Sequence, residues 1–175
     1  LKMTQMMENV LILGNIESGL LGFNKDKFNL DAFCKSVAKN TEINFHNKVF
    51  VKYWYLASDK DYILDENLTG LIVTHLLSNA VKYSKKGTEQ LVEFKITSDE
   101  NNIHFDITDE GIGIPQKDIP YLFKEFFRAS NTGSISGYGL GLTIVKRAVE
   151  SHKGKIYIKS ILNKGTQVKV TLPIL

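Results

Sequence analysis

The chain has 175 residues, enough to bury one substantial core, and its 43% hydrophobic and 23% charged residues are typical of a soluble globular domain. Its net charge of +3 comes without a dense basic run, so no nucleic-acid partner is indicated. One cysteine excludes an internal disulfide, and the four histidines lack zinc-ligand spacing. No apolar run could span a bilayer and no signal peptide is visible, so we expect a cytoplasmic domain.

The first predicted helix, from Lys2 to Leu21, carries apolar residues at alternating three- and four-residue steps and is broken at Glu17. This heptad-like stripe consists of Met3, Met6, Val10, Leu13 and Leu20. Its two interpretations are equally supported: the end of a longer helix that pairs with a partner helix, or a plain core helix. Because the chain begins at Leu1, we expect a piece of a longer protein, whose membrane anchoring the sequence leaves open.

The later elements mix helices with pairs of neighbouring strands. In chain order we predict a helix Asp31 to Lys39, a strand Lys48 to Leu56, a helix capped by Asp65 that reaches Ser84 and stops at Gly87, strands Leu91 to Thr97 and Ile103 to Thr108, a helix after the glycines 137–141, and a hairpin of Lys155 to Ser160 with Gln167 to Leu172. This order predicts an α+β fold, a two-layer sandwich in which helices cover one face of a single sheet.

One carboxylate is predicted to lie on the buried face of a strand. Ile103, Phe105 and Ile107 alternate with polar residues, and the same alternation places Asp109 on the apolar side. An unpaired carboxylate there would be costly, so it needs a hydrogen-bond donor. The following glycines, at 111 and 113, allow a tight turn and the close approach of another group. The donor could be a ligand or the amides of the turn itself, and this segment alone does not decide between them.

A second polar cluster continues the buried face of the helix that Asp65 begins. His75, Asn79, Lys82 and Tyr83 stand at positions i, i+4, i+7 and i+8, so they share one side of the helix. An amide oxygen suits magnesium, and a lysine suits the phosphates that magnesium bridges. The alternative is a solvated helix end without a ligand.

The glycines at 137, 139 and 141 open a helix, where free amides and the helix dipole favour an anion. Their spacing differs from the dinucleotide fingerprint, and no Lys-Ser/Thr pair follows as in a phosphate loop. Both of those nucleotide folds are therefore excluded.

Five segments together resemble the sensor histidine kinases. They are similar, in the family's order, to its asparagine box, first glycine box, phenylalanine box, second glycine box and third glycine motif, and consist of His75–Ser84, Asp109–Pro115, Leu122–Ala129, Gly137–Leu142 and Gly165–Thr166. The resemblance covers most of the chain from Asp65 onward and implies a Bergerat ATP-binding fold with a mixed, mostly antiparallel sheet. It also implies ATP and Mg²⁺ as cofactors.

The resemblance further implies a role for each matching residue. Asp109 would accept a hydrogen bond from the adenine amino group, Asn79 would coordinate Mg²⁺, and Lys82 and Tyr83 would contact phosphate or ribose. Arg128 would stabilise charge on the transferring phosphoryl group. The other ATP-binding residues it implies are Gly111, Gly113, Gly137, Gly139, Leu140, Gly141 and Thr166, with Ser130 to Ser136 as a mobile lid.

Two residues depart from the family pattern. His75 opens the asparagine box where asparagine is commoner and where related ATPases carry an acid that activates water; it is either a catalytic residue or a satisfied core histidine. Tyr138 stands in place of a common threonine, and we expect its side chain to point out of the lid.

The resemblance also predicts what this chain lacks. The family's phosphoacceptor histidine usually precedes an acidic residue in a dimerisation helix, and none of His46, His75, His104 and His152 does so. We therefore expect residues 1–21 to be the end of a truncated dimerisation helix and residues 22–175 to be the ATP-binding catalytic domain.

Three functions compete on these observations. The first is a catalytic domain that passes the γ-phosphoryl of Mg-ATP to a histidine on the dimerisation domain of an intact homodimer, in a two-component phosphorelay with a response regulator receiver domain. The second is a degenerate nucleotide-binding or regulatory module without phosphotransfer. The third, a gyrase-, mismatch-repair- or chaperone-type ATPase, is disfavoured by the phenylalanine box and the short chain.

Overall fold

A computed structural model describes residues 2–20, 22–24, 26–45, 49–58, 62–85 and 90–174. Its elements, in chain order, are α1 (Lys2–Glu17), β1 (Asp26–Lys27), α2 (Leu30–Asn44), β2 (Val49–Leu56), β3 (Ile63–Leu64), α3 (Glu66–Lys82), β4 (Gln90–Ser98), β5 (Asn102–Asp109), a 3-10 helix (Gln116–Tyr121), α4 (Gly141–Ser151), β6 (Lys155–Ile161) and β7 (Gly165–Pro173). The sequence predictions made for Leu1, Leu21, His46, Lys48, Gly87 and Leu175 fall outside the described residues.

The main sheet has five strands in the order β2-β4-β5-β7-β6. β2 and β4 pair in parallel, and the other neighbours are antiparallel. Helices α2, α3 and α4 contact one face of this sheet. Large side chains such as Phe50 and Tyr157 are exposed on the other face. The predicted α+β sandwich with a mixed, mostly antiparallel sheet is therefore confirmed.

Helix α3 starts as predicted, because the Asp65 side chain caps it. One carboxylate oxygen, Oδ1, accepts from the Leu68 amide at 2.8 Å, and Oδ2 accepts from the Asn24 amide at 2.8 Å. The same side chain thus caps the helix and anchors the segment that leads from α1. Buried residues at three- and four-residue steps, including Ile72 and Leu76, join α3 to the sheet.

Two local features differ from the sequence prediction. Helix α2 continues to Asn44 because its polar end is held by specific bonds: Thr41 Oγ1 donates to the Val37 carbonyl at 2.9 Å, and Glu42 accepts from the Val51 amide at 2.9 Å. A small second sheet, β1 with β3, was not predicted because strands of two residues carry no periodic pattern.

Helix α1 packs on α4 as a core helix does, while its pairing with a partner helix stays a prediction. Leu13 is buried against Leu140 and Ile144, and Glu17 forms a 2.8 Å ion pair with Arg147 of α4. On the side away from α4, Met7, Val10 and Leu11 are exposed at 63%, 45% and 64%. The helix therefore packs on α4 and also presents an apolar stripe. Within the described ranges, no helix has the length and apolar character needed to cross a membrane.

Candidate functional site

A cavity of about 460 Å³ lies between α3, the end of β5, the loop before α4 and the start of α4. Nearly every predicted site residue lines it: His75, Asn79, Lys82, Tyr83, Asp109, Gly113, Arg128, Gly137, Gly139, Leu140, Gly141 and Thr166. The exception is Gly111, which is buried behind the wall and donates its amide to Asp109 Oδ1 at 2.8 Å. Its role is to hold the carboxylate.

Asp109 lies at one end of this cavity, on the last residue of β5. It pairs with Thr166 of β7 in the sheet. Burial raises the pKa of Asp109 to about 6, although the amides of Gly111 and Thr166 stabilise the charged form. The carboxylate thus lines the cavity with two backbone donors and with its charged form disfavoured by burial.

The glycine turn beside Asp109 is fixed to three other segments. The Ile112 amide donates to the Tyr83 carbonyl at 3.0 Å, and the Ile112 carbonyl accepts from the Asn163 amide at 2.8 Å. The Ile114 amide donates to Ser160 Oγ at 2.9 Å. Gly113 has φ +62°, and a Cβ there would overlap the Ile161 carbonyl. Only glycine therefore fits this rigid turn.

The polar face of α3 forms one side of the cavity. Burial lowers the pKa of His75 to about 4, so its imidazole is neutral at physiological pH. Its Nδ1 faces Gly141 at the start of α4, near the Asn79 amide. No hydrogen bond joins either side chain to another residue in the described ranges. Both leave their polar atoms for a ligand.

Two cations, Lys82 and Arg128, also line the cavity. Burial, reinforced by the charge of Arg128, lowers the pKa of Lys82. The Lys82 ammonium lies over the Tyr83 ring at 5.2 Å from its centroid and against Gly137. Burial raises the pKa of Tyr83, and Arg128 opposes that effect. No carboxylate in the described part of the chain pairs with either cation. Two facing, uncompensated cations make an anion site.

The predicted lid, Ser130 to Ser136, is closely bonded to Arg128. The Arg128 guanidinium donates from Nη2 to Thr132 Oγ1 at 3.3 Å, to the Gly133 carbonyl at 3.4 Å and to the Ile135 carbonyl. In this arrangement Arg128 holds lid carbonyls and is not directed only at the cavity. It is nevertheless near enough to Lys82 to affect that amine.

The end of the lid leads into α4 through a strained turn. Gly139 has φ +73°, and a Cβ there would lie 2.5 Å from the Phe127 carbonyl oxygen. Helix α4 then begins at Gly141, and its N-cap residue, Leu140, provides no capping side chain among the described residues. Its first amides are therefore available to an anion. Tyr138 packs against the cluster of Leu13, Leu140 and Ile144, so it does not simply point out of the lid as expected.

Residues missed by the sequence prediction complete the cavity. Apolar walls come from Ile107, Ile112, Ile114, Phe127, Ile158 and Val168, and polar groups from Asn9 and Asn131. The alternation of β5 could have indicated Ile107, because it faces the same side as Asp109. Asn9 is placed there by tertiary packing without any local pattern, whereas Asn131 lies within the predicted lid but was not singled out.

The chemistry of the donor set fits a magnesium ion held mainly by a bound nucleotide. The described residues contain no group of three or more His, Cys, Asp or Glu side chains that could hold a metal by themselves. Asn79 supplies one hard oxygen to the cavity. Magnesium keeps several waters and binds phosphate oxygens together with one or two protein ligands, so a single amide oxygen suffices.

Comparison with known proteins agrees with this architecture. Residues 64–175 match the family described as histidine kinase-, DNA gyrase B-, and HSP90-like ATPase. The chain belongs to this ATPase family.

The relatives narrow the placement within the family. The chain is 30% identical over 176 residues to the sensor histidine kinase WalK of Bacillus subtilis, covering 98% of this chain and 28% of WalK. It is 32% identical over 121 residues to the sensor protein RprX of Bacteroides fragilis, covering 68% of this chain and 23% of RprX. The chain thus spans less than a third of these relatives. They confirm the resemblance to a sensor histidine kinase catalytic domain.

Solved structures share the fold. The mycobacterial sensor histidine kinase MprB superposes with a TM-score of 0.73 at 25% identity, covering 85% of this chain and 97% of that one. Full-length ShkA, solved in complex with AMPPNP, gives a TM-score of 0.83 at 19% identity, covering 97% of this chain and 35% of ShkA.

Proposed function

We propose that this chain is the ATP-binding catalytic domain of a two-component sensor histidine kinase, which transfers the γ-phosphoryl of Mg-ATP to a histidine on a dimerisation domain. One observation carries the proposal. A single cavity is lined by a largely buried carboxylate, Asp109, and by two cations, Lys82 and Arg128, that no carboxylate in the described ranges pairs with. That arrangement is complementary to a nucleotide with a donor on its base and a charged triphosphate.

The adenine would lie at the end of the cavity that Asp109 and the glycine turn form. The ionised carboxylate would accept from the 6-amino group, and the rigid turn at Gly113 would leave space for the flat base. Apolar side chains such as Ile107 and Val168 would contact its faces. Thr166 supports Asp109 through its backbone amide and would border the same end.

The phosphates would lie between α3 and the start of α4. Lys82 and the amides of Gly137, Gly139 and Gly141 would face them, with Leu140 fixing that segment in the core and Tyr83 beside the ribose or phosphate. The Asn79 oxygen would hold Mg²⁺, which would neutralise phosphate charge and orient the γ-phosphoryl when bound.

Catalysis in this proposal is mainly positioning and charge stabilisation, because the nucleophile comes from another segment. Arg128 would turn from the lid carbonyls towards the transferring phosphoryl, where a cation stabilises developing charge. His75 would face the same end as a neutral group. Its low pKa disfavours proton uptake at neutral pH, so a hydrogen-bonding role suits it better than a basic one.

The same proposal divides the chain into residues 1–21, the end of a dimerisation helix, and residues 22–175, the catalytic domain. The exposed stripe of Met7, Val10 and Leu11 supports a helix that pairs with another. The partners would be the dimerisation domain of the same kinase, as a homodimer, and a response regulator receiver domain. The domain would act in the cytoplasm, whether or not the parent protein is anchored in a membrane.

Phosphotransfer in trans tests this function. The chain is mixed with Mg-ATP labelled at the γ-phosphate and an excess of a dimerisation domain from a related sensor kinase, and acid-labile, base-stable label on that domain is measured. We expect labelled phosphohistidine that is lost in Asn79→Asp and Arg128→Gln. ATP binding without label, with several dimerisation domains tried, would favour the degenerate regulatory module instead.

Nucleotide binding tests the adenine assignment separately. Asp109→Asn should weaken ATP binding by about 10- to 100-fold, because a hydrogen bond to a charged acceptor contributes about 1.5–3 kcal/mol. Isothermal titration calorimetry measures this, with exposed Glu110→Gln as the control for a change of charge nearby. Unchanged affinity in Asp109→Asn would refute the role of Asp109.

A further inference from the structure

Asn131, near the start of the predicted lid, has one side-chain atom without a hydrogen-bond partner in the described ranges. Asn131 lines the cavity, and its Nδ2 donates to the Gly113 carbonyl at 2.8 Å. Because a carbonyl can only accept, this bond fixes which way the amide faces. The other amide atom, Oδ1, is closed off from solvent and receives no hydrogen bond from any residue that the structure describes. Asn131 is therefore half satisfied.

This unpaired oxygen does not result from a loose segment. Ser130, the preceding residue, donates from both its amide and its Oγ to Asp118 Oδ2, each at 2.7 Å. These two bonds hold the pKa of Asp118 below its usual range, as expected for a carboxylate that accepts from an amide and a hydroxyl. The backbone and the side chain of Ser130, next to Asn131, are thus both anchored to Asp118. Buried polar groups in folded proteins are nearly always paired, so an anchored acceptor without a donor is a place where a donor from outside the chain can bind.

A bound nucleotide offers few donors for this acceptor. Phosphate oxygens accept at neutral pH. The 6-amino group has two N–H donors, and Asp109 would accept from one of them, so the candidates are the second N–H and the ribose hydroxyls. The position of Asn131 favours the hydroxyls. The sugar joins base to phosphates, and Asn131 occupies the matching place in the wall: it bonds Gly113 at the base end, while its neighbour Thr132 bonds Arg128 at the phosphate end.

We propose that Asn131 positions the nucleotide, with its Oδ1 accepting from a ribose hydroxyl while its Nδ2 holds the Gly113 carbonyl. The inference rests on the proposed function and adds the sugar to the groups that the site recognises. Oδ1 is covered in this structure, so the proposed contact requires the groups that cover it to move when the ribose binds. Asn131 then connects the adenine turn, the sugar and the lid through one amide.

A comparison of nucleotides and variants tests the contact. Binding of Mg-ATP, 2′-deoxy-ATP and 3′-deoxy-ATP is measured by calorimetry for the wild type and for Asn131→Ala. For the wild type, removal of the contacting hydroxyl should weaken binding about tenfold, the equivalent of one hydrogen bond. For Asn131→Ala, that analogue should bind as well as ATP does.

Two further variants separate recognition of the sugar from support of the lid. Ser130→Ala removes one bond to Asp118 and leaves Asn131 in place, so it should weaken all three nucleotides by the same factor. Asn131→Asp keeps an acceptor oxygen but loses the donor to Gly113, so it should still discriminate against the deoxy analogue. If Asn131→Ala binds no nucleotide measurably, Asn131→Ser provides the test, because its shorter side chain should not reach the sugar and should lose the discrimination.

The outcomes are distinct. Equal discrimination in the wild type and Asn131→Ala, or no discrimination in either, overturns the ribose contact. Purine riboside triphosphate lacks the 6-amino group. If its binding is weakened, relative to ATP, more in the wild type than in Asn131→Ala, Oδ1 contacts the base, and the ribose contact is overturned. A wild type that binds no ATP refutes the proposed function itself, whereas ATP binding without coupling at Asn131 refutes this inference alone.

Discussion

The burial of Asp109 leads to a prediction about stability that does not depend on any ligand. The fold raises the pKa of this carboxyl from 3.8 to about 6, mainly by desolvation. At about 1.4 kcal/mol per pKa unit, the ionised side chain costs the folded state about 3 kcal/mol at neutral pH. Asp109→Asn replaces it with a neutral group of the same shape, whose oxygen can still accept from the Gly111 amide.

The sign of the pH dependence follows from linkage. Between pH 3.8 and about 6 the folded protein binds more protons at Asp109 than the unfolded chain does, so this group makes wild-type stability fall as pH rises. The variant has no such titration. The difference in unfolding free energy, variant minus wild type, should therefore grow by about 2.4 kcal/mol from pH 4 to pH 7. If the amide hydrogens of the Asp109→Asn side chain also destabilise the fold, they lower this difference by the same amount at every pH and leave its pH dependence unchanged.

Urea unfolding, followed by circular dichroism at several pH values, measures this difference. Glu110→Gln is the matched control, because this neighbour is exposed and its variant should show no comparable trend. A difference that stays flat between pH 4 and 7, or that falls, would refute the account of Asp109 as a destabilised carboxylate. Together with weaker ATP binding, a rising difference would show that the site sacrifices stability for recognition.

Three other substitutions test separate parts of the fold. Thr69→Val should raise the unfolding free energy by about 1 kcal/mol in urea, because Thr69 Oγ1 is buried without a partner among the described residues; a loss of stability would show that the hydroxyl is satisfied. Asp65→Ala should lower it by at least about 1–2 kcal/mol, since both the α3 cap and the bond to Asn24 disappear, and an unchanged denaturation midpoint would argue against the cap. Gly139→Ala should weaken ATP binding at least about tenfold, because positive φ and the nearby Phe127 carbonyl force the end of the lid to move; calorimetric affinity equal to wild type would contradict this.

Periodic and capping patterns accounted for the parts of the fold that local sequence controls. Asp65 is the N-cap of α3 as predicted, and the alternation of β5 correctly placed Asp109 towards the interior. Patterns could not supply the continuation of α2, which depends on bonds from Thr41 and Glu42 to groups fixed by packing. Tertiary contacts, not propensity, decide such ends.

In the candidate site, too, motifs predicted some features and tertiary packing determined the others. The boxes identified most residues that line the cavity, but Gly111 supports Asp109 from behind the wall instead of lining it. Asn131 was missed because its significance lies in one unpaired atom and a bond to Gly113, neither of which leaves a trace in the sequence. Which residues are near a ligand can be inferred from motifs, whereas which polar atoms lack partners requires coordinates.

The bonds around the glycine turn make the two ends of the cavity mechanically unequal. In the proposed binding mode, Tyr83, Asn163 and Ser160 hold the base end through backbone and hydroxyl bonds, whereas Arg128 holds the carbonyls of the lid at the phosphate end. A purine would therefore dock into a preformed slot with little loss of protein entropy, and exchange of ADP for ATP would be timed by the lid. In such a design the base sets the selectivity of the site and the lid sets its turnover.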